Sequence, residues 1–141
     1  TGAHFVTLEN NTVEFGTIMV STGTVDTTHP INTIVTCTPS TIANQKSIYG
    51  VYYRTDIDNR HLVCALGEGT VLVTNINGNI ANGDYITTSN IEGLGMKQDD
   101  DLKHSYTVAK ATQSIDWDTV ITTIEHNGVS YKKVLIGCTY Q

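Results

Sequence analysis

Short apolar runs rich in β-branched residues recur along this chain, broken roughly every 8–12 residues by glycine, asparagine or aspartate. No segment sustains the apolar period of a helix over several turns. This pattern leaves helical bundles and α/β folds without their elements and requires a chain of short strands. Composition points the same way: Thr is about one residue in six, and Val, Ile and Tyr supply much of the remainder. Thr, Val and Ile are stiff at χ1 and suit a pleated surface, whereas the strong helix formers Leu, Ala, Glu and Lys are scarce. At 141 residues the chain has the length of one domain. A chain of this size buries roughly 68% of its unfolded surface and needs no staples. The reading is a single all-β domain over residues 1–141, an antiparallel sandwich or barrel of about ten short strands.

Residues 67–110 are the best specified stretch. Strands are expected at 70–74, 85–88 and 106–111. The sequence TVLVT at 70–74 is nearly continuous apolar, as in a strand covered on both faces. The turn at 75–84 holds Asn77-Gly78 and Asn82-Gly83, either of which can supply the positive φ of a tight turn. Ile76 and Ile80 would point inward and pin this loop. A glycine-hinged loop follows at 92–96, in which Leu94 or Met96 is either presented outward or buried. Elsewhere, strands are expected at 1–6, 13–20, 34–37, 48–54, 62–66, 120–125 and 131–138. Asn10-Asn11, the polar loop 24–30 and the charged segment 56–60 turn the chain, and 114–118 is a turn or one helical turn. His126-Asn127-Gly128 reads as a hairpin turn, since Asn-Gly is the strongest short hairpin signal. No internal sequence repeat is visible.

The formal charge of −6, with Lys and Arg scattered, excludes the basic stripe of a nucleic-acid binder and argues against an anionic membrane surface. No apolar run reaches the roughly 20 residues of a membrane span, and no signal peptide is seen. The chain begins at Thr1 rather than Met and is read as a processed or excised part of something longer. Cys37, Cys64 and Cys138 are odd in number and form no C-x-x-C pair, so they read as small buried hydrophobes. No cofactor site is indicated.

Asp84, following Gly83, reads first as a carboxylate that accepts turn amides and only second as a catalytic group. Asp99-Asp100-Asp101 reads as a solvated loop or one set against lysines. Asp99 and Asp101 are the candidate ligands for a hard cation, although the spaced D-x-D-x-D-G pattern is missing. His4, His29, His61, His104 and His126 are isolated, so no Ser-His-Asp set can be assigned. Tyr49, Tyr52 and Tyr53 read as core aromatics, with a sugar-binding platform as the alternative.

Several blocks resemble one family. They are T-G-A-H at 1–4, F-G-T-I-M-V at 15–20, Y-G-V at 49–51 and G-E-G at 67–69. N-G-D-Y-I-T-T-S at 82–89, G-M-K-Q-D-D-D at 95–101, Y-T-V-A-K at 106–110 and I-G-C-T-Y at 136–140 complete the set. Together they resemble the C-terminal intramolecular chaperone and auto-processing domain (peptidase G2-like) of viral and phage tail-spike or fibre-like proteins, as found in large algal DNA viruses. The blocks between Asn82 and Lys110 are the specific ones.

The resemblance implies a homotrimer that folds at the end of a fibre, nucleates the N-terminal portion of the same polypeptide, and is released by self-cleavage at its own N-terminal border. It implies a virion or an infected host cytoplasm as location. Under that expectation the enzyme activity is at most autoproteolytic. Thr1 Oγ would attack the preceding carbonyl in an N–O acyl shift, with His4 as base and Asp84 or Asp56 orienting it. The alternative is a receptor-binding knob at a fibre tip that takes a host-surface glycan.

Overall fold

Among the described residues ten strands form: β1 (Gly2–Leu8), β2 (Ile18–Asp26), β3 (Ile34–Pro39), β4 (Ile48–Thr55), β5 (His61–Thr74), β6 (Tyr85–Thr88), β7 (Gly95–Lys97), β8 (Thr107–Ala111), β9 (Thr123–His126) and β10 (Val129–Tyr140). One 3-10 turn, Trp117–Thr119, overlaps the 114–118 segment that was expected to be a turn or one helical turn. The protein is all-β. The computed structural model describes residues 2–10, 12–28, 31, 33–56, 58 and 60–141. The expected nucleophile Thr1 and His29 lie outside the described residues, as do parts of the 10–11 turn, the 24–30 loop and the 56–60 turn.

The strands make one mixed sheet that closes on itself twice. β1, β3, β2, β4 and β5 pair in that order, and β5 pairs back onto β1. β5, β7, β6, β8 and β10 pair in that order, and β10 pairs back onto β5. Closure removes sheet edges that would otherwise recruit other chains. β9 is a hairpin extension of β10, turned by Asn127 (φ 51°) and Gly128 (φ 80°), both positive as a two-residue hairpin turn requires.

The two rings have the same topology. In each, the third strand slots between the first and the second and runs parallel to the first, while every other pairing is antiparallel. The antiparallel expectation is thus modified by two parallel pairs, β1–β3 and β5–β7. The repeat lives in the pairing and not in the residues, which is why the sequence does not display it.

β5 belongs to both rings: residues 61–66 pair with β1 and β4, and residues 67–74 with β10. A break was expected at Gly67-Glu68-Gly69. Gly67 does take φ +98°, which glycine alone adopts cheaply. The strand nevertheless continues, because Tyr140, Thr139 and Cys138 of β10 pair with residues 67, 68 and 69 across the kink. A second difference is β7, which overlaps the end of the expected 92–96 loop and forms by pairing with β6. Leu94 beside it is 2% exposed, so the loop buries its apolar tip.

Each ring has its own core. Val6, Leu8, Met19, Cys37, Tyr52 and Val63 fill the first. Val71, Val73, Ile86, Val108 and Ile136 fill the second, joined by Ile18, Val51 and Cys64 from strands of the first ring. Ile18/Met19, Val51/Tyr52 and Cys64/Val63 are sequence neighbours that point to opposite cores, as strand alternation dictates. β2, β4 and β5 are therefore the wall between the cores. Full burial of Ile18, Ile86 and Ile136 contributes roughly 1.5–3 kcal/mol each. Leu72 points away from Val71 and Val73 into a third cluster with Ile91 and Leu94, so the TVLVT run is covered on both faces.

Candidate functional site

The 75–84 turn and the start of β1 were the places where chemistry was expected, and they lie on different rings. His4, on β1, is exposed and sits opposite Val63, its ring 5.4 Å from that of Tyr49. Asp84 precedes β6. Its Oδ2 accepts the Ala81 amide at 2.8 Å, and its own amide donates to the Ala81 carbonyl at 3.0 Å. Lys97 Nζ stands 3.9 Å from the same oxygen. Ile80 is buried and bridges to Ile115, while Trp117 Nε1 donates to the Gly78 carbonyl, so the whole turn is pinned. This is the brace reading of Asp84. A shallow cleft of about 430 Å³ opens beside it, with Ser114 and Asp116 on its far wall. Ser114 Oγ already accepts the Asn82 amide, and Asp116 Oδ1 accepts the Asp118 amide. We expect Asp84→Ala to cost about 1 kcal/mol, the worth of the lost amide bond, measured by urea unfolding, and to leave any processing at Thr1 unchanged.

The acid triplet is organised around an amide rather than an ion. Gln98, 3% exposed, donates from Nε2 to the Leu102 carbonyl (2.6 Å), the Asp100 carbonyl (3.1 Å) and Asp100 Oδ1 (3.0 Å). Its Oε1 accepts from Thr107 Oγ1 at 2.6 Å. Asp100 turns to His104, whose Nε2 lies 2.8 and 2.9 Å from its two oxygens. That hydrogen bond, with the Leu102 amide next, holds the Asp100 carboxyl below its usual range. Asp99 accepts from Asn77 Nδ2 at 2.8 Å, and Asp101 is exposed. The two candidate cation ligands are thus not drawn together. Among the described residues no group of three or more His, Cys, Asp or Glu side chains is placed to hold a metal ion.

All three cysteines are free and buried. Burial pushes the Cys37 thiol up to about 11 and the Cys138 thiol up to about 12, so neither supplies a thiolate nucleophile near neutral pH. The hydroxyl–histidine contact of note is at the ends of β4 and β5. His61 Nδ1 lies 3.0 Å from Tyr52 Oη and 3.3 Å from Thr55 Oγ1. The trio latches two paired strand ends.

One apolar hollow was not anticipated. It measures about 480 Å³ and lies where β1 begins and β5 crosses between rings. Ala3, Phe15, Tyr53, Cys64, Glu68 and Tyr140 line it. Tyr140 closes its floor: its hydroxyl donates to the Thr70 carbonyl at 2.7 Å and accepts the Thr70 amide at 3.0 Å, which lets the ring lie against Gly69. Burial drives the Tyr140 phenol up to about 12. Phe15 and Tyr53 form the rim, ring centres 6.1 Å apart and tilted by 58°. Two signals for this hollow exist in the sequence, G-E-G at 67–69 and C-T-Y at 138–140, but only strand pairing shows that they meet.

Compared with models of known protein families and with curated proteins, the chain matches none.

Proposed function

We propose that this chain is the C-terminal trimerisation and folding-chaperone domain of a viral fibre- or tail-spike-like protein, acting in virion assembly. The observation that carries the reading is the exposed apolar surface at the start of β1: the hollow rimmed by Phe15 and Tyr53, with Leu66 beside it. Contiguous exposed apolar surface on an otherwise polar protein marks an association site. Long non-local β pairing folds slowly, and a terminal domain that associates first raises the effective concentration of the chains behind it. The doubly closed sheet suits that task, since it folds without offering long free edges to the fibre strands.

Release by self-cleavage before Thr1 is the additional step that the resemblance implies. Any group serving it must reach the start of β1. Gly2 pairs with Leu66, and Glu68 lines the hollow with Ala3, so Glu68 replaces Asp84 as the carboxylate to test there. Expression of the parent protein whole, followed by intact-mass measurement, tests the reading. A trimeric fibre in the presence of the domain, an aggregate in its absence, and a fragment starting at Thr1 are expected. A parent chain that assembles equally well with the domain deleted sinks the proposal. A glycan-binding knob is the second reading, favoured by the Phe15–Tyr53 corner with Arg54 Cζ 5.2 Å over the Tyr53 ring. It requires the domain to stay on the mature particle.

A further inference from the structure

We infer that the surface formed by Leu66, Phe15, Tyr53 and Leu135 around the β1 hollow is where a second copy of this chain seats. The inference rests on the trimerisation reading and assigns the face that carries it. Four large apolar side chains are exposed there: Leu66 by 62%, Phe15 and Tyr53 by 43% each, and Leu135 by 39%. They are connected in space. Leu66 packs on Gly2, which leads into the hollow through Ala3; Phe15 and Tyr53 form its rim; Leu135 packs on Gly16 next to Phe15. The strip spans both rings, from β5 to β10. A compact sugar site would use the aromatic corner and leave two exposed leucines unexplained. A protein surface uses all four.

Charge selects a second copy. An acidic chain of net charge −6 repels itself unless the contact face is locally balanced. The charges around this strip are Arg54, on the Tyr53 ring; Lys133 and Glu14, paired at 2.8 Å; and Glu68, in the hollow. Both signs are therefore present around the strip, in contrast to the acid excess of the chain as a whole. The acids at 84, 99–101, 116 and 118 do not line the hollow.

The geometry adds a direction. Leu66 projects beside a hollow that it does not line, so projection and recess are different surfaces on one face. A contact between different surfaces is head-to-tail, and it closes into a ring when the rotation allows. β1 begins on this face, with Gly2 against Leu66. Copies seated here bring their β1 starts together, as setting three fibre chains in register demands.

The test is light scattering of the 141-residue chain at micromolar concentration, with circular dichroism as a check on folding. Wild type is expected at about three times 15.3 kDa, with Leu66→Asp and Phe15→Asp falling to a single chain. Ile121→Asp, at a site 91% exposed and outside this strip, is expected to stay trimeric. Tyr53→Asp substitutes for either variant that fails to fold. Trimeric variants beside a trimeric wild type would overturn the assigned face and leave the trimerisation reading standing. A monomeric wild type would overturn both. If the resonances of Phe15 and Tyr53 in that monomer shift with glucose, galactose, N-acetylglucosamine or N-acetylneuraminic acid, the hollow belongs to a saccharide and the self-association is overturned.

Discussion

Gly50→Ala should be among the most destabilising single-methyl changes in this protein, costing about 3 kcal/mol and lowering the melting temperature by about 10 °C. A Cβ at Gly50 would stand 2.5 Å from the Cys64 carbonyl oxygen and 2.5 Å from a Val63 methyl. The first of these is backbone and cannot rotate away. Gly50 lies on β4, paired with Met19 of β2 and facing β5, so it sits in the wall between the two cores. Moving β4 away from β5 to admit the methyl disturbs Val51 on one side and Tyr52 on the other, one residue of each core. Close packing transmits such a shift instead of absorbing it. Urea or thermal unfolding of the variant measures the cost. A loss below about 0.5 kcal/mol, the usual range for an exposed surface site, would show that the wall is not a close-packed partition.

The legible part of the fold was what local chemistry dictates. β-branched runs announced strands, Asn127-Gly128 announced its hairpin, and TVLVT announced burial on both faces. What the residues do not encode locally is partner choice. Nothing near Gly67 says that β10 will pair across its kink, so one strand reads as two. Nothing near Val6 says that β3 will return parallel to it. The shared topology of the two rings is invisible for the same reason: equivalent strands such as β4 and β8 differ in length and residues and agree only in whom they pair with. The site followed this rule. Asp84 was readable as a brace because its partner, Ala81, is three residues away. Phe15, Tyr53, Glu68 and Tyr140 come from four separate segments, and only the closed sheet makes them neighbours.

Gln98→Ala is expected to cost about 2–4 kcal/mol, because it removes several bonds from a buried site and strands their partners. Leu102 and Asp100 carbonyls lose a shared donor, and the Thr107 hydroxyl, on a residue only 4% exposed, loses its acceptor. Leu102 is 64% exposed, so the loop is held by hydrogen bonds rather than by apolar burial, and Gln98 is the buried member of that set. Circular dichroism should therefore retain its β signal while hydrogen exchange at residues 99–105 accelerates. Unchanged protection there would refute the amide-centred account of the triplet. The same loop carries a pH dependence of definite sign. Asp100 is held below the ordinary 3.8, mainly by the His104 hydrogen bond and then by the Leu102 amide. A carboxyl with a depressed folded value contributes stability that is complete above the unfolded value and is lost as pH falls through the folded one. Protection of the Leu102 amide, which donates to Asp100 Oδ1 at 3.2 Å, should then decline as pH falls below about 4, after correction for intrinsic exchange. Asp100→Asn should abolish the decline. In Gln98→Ala the loop is already open at neutral pH, so acid has nothing further to release.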